Sequence, residues 1–128
     1  MRRVAATLLA AAVAVVGCRS GGADPTGEWS LYVPPDMVAQ AAKSGEIPPK
    51  GTLEVLPSGR FRMNVRQASG RVLEAEGRWT LAEGSFTAEG SERTIGPDGR
   101  SSERSFRSTG AFSPDGRRLR VYGRDFVR

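Results

Sequence analysis

The chain has 128 residues, 38% hydrophobic and 26% charged, with 19 basic against 14 acidic side chains. It holds no histidine and one cysteine, which excludes histidine-based triads, imidazole acid/base work, histidine metal sites and any disulfide within the chain. The net charge of +5 is spread along the sequence and not gathered on one element, so nucleic acid is not an expected partner.

The chain opens with Arg2 and Arg3 ahead of an apolar run from Val4 to Val16, broken only by Thr7. This is the layout of a secretory signal. The run is too short for a transmembrane helix, which needs about 20 apolar residues. It closes on Val15-Val16-Gly17-Cys18, which resembles a bacterial lipobox. The resemblance implies that Cys18 receives a diacylglycerol, that a peptidase cuts before it, and that the freed amino group is acylated in turn, with palmitate among the chains. Residues 1–17 are then a lipoprotein signal peptide, 18–26 a lipidated flexible tether, and 27–128 one domain long enough for a modest core. Two or three acyl chains, each buried methylene contributing about 0.8 kcal/mol, make such an attachment to the membrane permanent. Loss of Arg2 and Arg3 leaves 17 basic against 14 acidic side chains. Arg19, standing where aspartate would retain a lipoprotein in the inner membrane, implies the outer membrane, facing the periplasm.

Gly27 to Val33 reads as a first strand. Pro35 to Ser44 carries helix-forming residues between Pro34-Pro35 and Gly45, with Met37, Val38 and Ala41 on one side, so a short helix is expected between strands one and two. Pro48-Pro49 ends that excursion. From Gly51 onward apolar and polar residues alternate between regularly spaced turn residues, the signature of an antiparallel up-and-down meander of about seven to eight strands. A turn at Pro57-Ser58-Gly59 faces Val55 with Phe61 and Leu53 with Met63, and sets Glu54 opposite Arg62 on the other side. A turn at Ala68-Ser69-Gly70 places Val65 against Leu73, Met63 against Ala75, Arg62 against Glu76 and Asn64 against Glu74. Both turns select the same buried face, and a slip of one residue would turn the whole apolar set outward. A turn at Glu83-Gly84 brings Leu81 opposite Phe86 and Trp79 opposite Ala88. After a longer loop at Gly96-Pro97-Asp98-Gly99, Arg104 to Phe112 returns, and an Asp115-Gly116 turn pairs Phe112 with Leu119 and Gly110 with Val121. Glu92 and Thr94 fall on the face that should be buried, so strand ends or a bulge are expected there.

Three groups invite a chemical reading. Glu74 and Glu76 project from one face roughly 7 Å apart, a spacing compatible with an inverting glycosidase. They lie on the outer side opposite Asn64 and Arg62, however, where a solvated cross-strand charge network is the expectation. Asp98 and Asp115 sit in Pro-Asp-Gly turns, where aspartate bonds its own backbone. Arg118, Arg120 and Arg124, with Tyr122 between, form a basic stripe suited to anionic lipid, cell-wall polymer or an acidic partner, or simply to defending an edge.

Gly27-x-Trp29 at the head of the first strand, followed by up-and-down strands with glycine-rich turns, resembles the small lipocalin-like domains of bacterial lipoproteins. The likeness covers most of 27–128. A faint echo, G-x-W-x-L, recurs at Gly77 to Leu81 around Trp79. The resemblance implies a small mainly-β barrel, complete or incomplete, plugged at one end by Trp29 with an arginine over its ring. Arg118, Arg120 and Arg124 are the candidates, and Arg120 joins Trp29 and Trp79 as the expected plug or ligand-binding set. An eight-stranded barrel is just wide enough to be filled by its own side chains or to hold one small ligand. The expected protein is therefore non-enzymatic, with no cofactor and no metal. It is a lipid-anchored envelope protein that binds a small apolar ligand, or else a module with a filled core that binds an envelope protein or the cell wall. An apolar cavity of about 300 Å³ or more favours the first, a filled interior the second.

Overall fold

The computed structural model describes residues 24–128; the expected signal peptide and Cys18 lie outside the described residues. In chain order the elements are β1 (Gly27–Leu31), α1 (Pro35–Ser44), β2 (Lys50–Val55), β3 (Arg60–Arg66), β4 (Val72–Ala82), β5 (Ser85–Ile95), β6 (Ser101–Ala111), β7 (Arg118–Val121) and β8 (Arg124–Val127). All pairings are antiparallel, and the sheet runs β6-β5-β4-β3-β2-β1-β8-β7. The fold is thus a mainly-β curled meander with one short helix between its first two strands.

One turn device sets most of the register. Leu56 N–H donates to the Arg60 carbonyl and Gly59 N–H to that of Leu56, and the same pair of bonds recurs for Gln67, Gly70 and Arg71, and for Gly96, Gly99 and Arg100. Each is a type I turn closed by a residue in the left-handed region, which glycine enters without steric cost; Gly59 and Gly70 both sit at φ 90°. The resulting ladders place Val55 with Phe61, Leu53 with Met63, Met63 with Ala75, Val65 with Leu73, Leu81 with Phe86 and Trp79 with Ala88, as the alternation predicts.

The long β4–β5 hairpin makes the curl. Gly77 and Gly90 face each other across it, and a Cβ on Gly77 would run into the Glu89 carbonyl, one on Gly90 into that of Glu76. Side-chain-free positions at this crossing let the two strands bend sharply inward. Rings then meet across the interior: Phe61 of β3 and Phe106 of β6 lie 6.0 Å apart edge to face, Phe106 and Tyr122 5.1 Å, and Trp29 and Phe112 6.1 Å. Full burial of such a ring contributes about 1.5–3 kcal/mol, and the partly buried Phe106 and Tyr122 contribute less.

The two ends of the curled sheet touch at a single bridge, Phe112 with Leu119. The expected continuation of that ladder to Gly110 and Val121 does not form. β7 instead passes over the inner face of β6, where a Cβ on Gly110 would meet the Arg120 carbonyl and Tyr122 N–H donates to Ser108 Oγ at 2.7 Å. The short helix forms where expected; of Met37, Val38 and Ala41 only Ala41 is buried, because the helix loops out between β1 and β2. Two further expectations need correction. β1 ends at Leu31, not Val33, although Tyr32 N–H still donates to the Asp125 carbonyl. No bulge intervenes at Glu92 and Thr94, since the β4–β5 and β5–β6 ladders run unbroken through both.

Candidate functional site

Strand register strings one row of inward side chains across six strands: Trp29, Leu53, Met63, Ala75, Glu92 and Arg104 are successive cross-strand partners. Its two ends differ in chemistry. At the β1 end Trp29 is 0% exposed and its Nε1–H donates to the Pro25 carbonyl at 2.9 Å. The guanidinium of Arg128 covers the ring at 4.2 Å from the centroid. That arginine is held in turn by three carbonyls, Nε to Gly116 at 2.9 Å, Nη1 to Thr26 at 2.9 Å and Nη2 to Asp24 at 2.7 Å. A planar fork with five donors suits this task as a lysine would not.

At the other end Glu92 is a carboxylate inside the curl, only 4% exposed. Its Oε2 accepts from Arg104 Nε at 2.7 Å, and its Oε1 has no partner among the described residues. The Arg104 side chain is 74% exposed, so it bonds the carboxylate from the solvent side. A half-satisfied buried carboxylate costs stability, unlike the fully bonded tryptophan across the row.

The outer face of the sheet carries a groove of about 390 Å³ crossing β1 to β6. Glu28, Glu54, Glu74, Glu76 and Glu103 line it against Arg62 and Arg93, an acidic stretch on a basic protein. Within it Arg62 Nε stands 3.7 Å from Glu54, and Asn64 Nδ2 donates weakly to Glu74 at 3.5 Å. Glu74 thus meets Asn64 as expected, while Arg62, opposite Glu76 in register, reaches Glu54 instead. Among the described residues no three acidic or thiol side chains converge as a metal set.

The residues singled out in sequence are not brought together. Trp79 is partly buried, stacks on Phe86 at 5.7 Å and 8°, and donates from Nε1 to the Leu56 carbonyl at 2.9 Å. Arg120 pairs with Asp125 at 3.0 Å and does not cover Trp29; nor do Arg118, which lies over Tyr32, or Arg124, which lies over Tyr122. Arg128, not one of the three candidates, takes that place, because β8 runs beside β1 and carries the chain past Trp29. Cys18 lies outside the described residues. Arg128 has no motif to announce it. The Glu92–Arg104 pair had a signal, since the turn ending at Arg100 repeats the device at Arg60 and Arg71 and its register sets Glu92 opposite Arg104. No protein-family model, curated protein or solved structure matches this chain.

Proposed function

We propose that the chain is a non-enzymatic lipoprotein of the cell envelope, anchored through Cys18 in the outer membrane and facing the periplasm. Its β-domain acts as an interaction module for an envelope protein or the cell wall, and not as a carrier of a small apolar ligand. One observation carries the choice between those two roles. Phe61 and Phe106, on strands separated by β4 and β5 in the sheet, meet edge to face at 6.0 Å, so side chains occupy the space where an apolar ligand would sit. The groove of about 390 Å³ lies on the outside and is lined mainly by charged groups, the reverse of a typical small-molecule pocket. The anchor rests on the signal-like run and on Cys18 following Gly17.

Two measurements test this reading. Native mass spectrometry of the protein extracted from its own envelope should give the lipidated chain with no further small apolar mass. A lipid or metabolite retained by the domain would overturn the module in favour of a carrier. Cys18→Ser should move the protein from the membrane to the soluble fraction, and unchanged fractionation would remove the anchor.

A further inference from the structure

Among the described residues, the edge of β6 facing away from β5 has no backbone partner from Ser101 to Thr109. Which residues present that edge follows from the bonds at its two ends. Gly96 N–H donates to the Arg100 carbonyl and Phe112 N–H to that of Gly84, so the even-numbered residues of β6 bond to β5. Bonded positions alternate along an antiparallel strand. The amides and carbonyls of Ser101, Glu103, Ser105, Arg107 and Thr109 therefore point away from the sheet. β7 is four residues long and leaves this edge bare by crossing the inner face at Gly110 and Ser108. The strand has no proline and no lysine, and its ladder to β5 has no bulge, so the charges of Glu103, Arg104 and Arg107 are what governs edge pairing here.

Charge decides what fits there. We propose that this edge pairs antiparallel with β6 of a second copy of the chain, about a two-fold axis at Ser105. In that register Glu103 faces the partner's Arg107, Arg107 faces the partner's Glu103, and Ser101 faces the partner's Thr109. On the inner side Arg104 faces the partner's Phe106, and the reverse. Every outward-pointing amide meets an outward-pointing carbonyl, because odd positions face odd positions. The neighbouring registers are poorer. Centring on Glu103, Arg104 or Arg107 sets like charges directly opposite, which is destabilising. Centring on Phe106 leaves Glu103 and Arg107 opposite neutral residues. The edge is thus self-complementary in one register, as an isologous two-fold interface requires, and pairing depends on neither Cys18 nor the anchor.

The test uses the full chain in its membrane. Directly opposed residues of a hydrogen-bonded antiparallel pair have Cα atoms about 5.5 Å apart, within disulfide range. Ser105→Cys should therefore give a disulfide-linked dimer on mild oxidation, while the parent chain and Ser58→Cys, in the exposed turn between β2 and β3, should not. Adding Glu103→Arg or Arg107→Glu should each lower the dimer yield about tenfold, as two attractive pairs become repulsive. Co-expression of those two chains should restore it, since one then offers two arginines and the other two glutamates. Co-expressed Ser101→Cys and Thr109→Cys chains should cross-link to each other, which checks the register without altering Ser105. A Ser105→Cys chain that keeps its far-UV spectrum yet stays monomeric would overturn the pairing. So would a yield indifferent to the charge reversals, or equal cross-linking through Ser58→Cys.

Discussion

Trp29 and Glu92 lie on one register row and one inner face, and each is covered by an arginine, yet their settings are opposites. Trp29 has its indole N–H bonded and its ring roofed by an arginine whose donors reach three carbonyls. Glu92 keeps one oxygen unpartnered among the described residues, and its arginine stands in solvent. On the first side the last residue of β8's segment is tied to the stretch that leads into β1, because Arg128 reaches back to Asp24 and Thr26. On the second side the sheet stops at β6 with a bare edge. The small domain is therefore closed on its first side and ends in an unpaired strand edge on its second.

The sharpest way to break the comparison is Trp29→Ala. It removes the largest fully buried side chain and should lower stability to urea by about 3–5 kcal/mol. Arg128→Ala should follow at about 1–3 kcal/mol, since it loses the ring contact and strands polar groups around Gly116. The two losses should be less than additive, because the arginine is positioned by the ring it covers. A Trp29→Ala cost under about 1 kcal/mol would mean the closed side is not a closure at all.

The opposite side should respond differently. Arg104→Ala leaves a buried carboxylate with neither oxygen partnered, which costs about 1–3 kcal/mol. Replacing both partners, Glu92→Leu with Arg104→Leu, should return stability to within about 1 kcal/mol of the parent or above it, because no buried carboxylate is then left without a partner. Urea unfolding of the three chains checks this. If the double replacement costs as much as the single one, the pair supports the fold and the contrast with Trp29 disappears.

How much of this was legible in sequence follows from the range of the interactions. The registers through Ala88 follow from alternation and a repeated turn, both local, and the structure reproduces them. Arg128 on Trp29 depends on β8 lying beside β1, across nearly the whole domain, and no periodicity encodes that. The alternation predicts a strand end or a bulge at Glu92 and Thr94, because a carboxylate inside a sheet is costly. The strand nonetheless runs on unbroken, since Arg104 on the next strand supplies a partner. The bare edge of β6 depended on β7 leaving the ladder after Leu119. Gly110 marked that crossing, but a glycine within a strand signals a close approach without saying what approaches.

The smallest effect lies in the turn that feeds the closed side. The Ser113 hydroxyl and then the Arg117 amide donate to Asp115 and hold its carboxyl below the usual aspartate range. A depressed folded value means that the charged form is favoured by folding. Its stabilisation is therefore complete above the unfolded aspartate pKa of about 4 and is lost as pH falls through the lower folded value. Ser113 Oγ also accepts from Arg118 N–H at 3.0 Å, and the Gly116 carbonyl holds Arg128, so protonating Asp115 loosens the turn that steadies the arginine over Trp29. Amide exchange at Arg117 and Arg118, corrected for the intrinsic rate, should quicken only as pH falls below about 4. In Asp115→Asn that acceleration should vanish. If it persists, another group governs the turn and the link from Asp115 to the closed side fails.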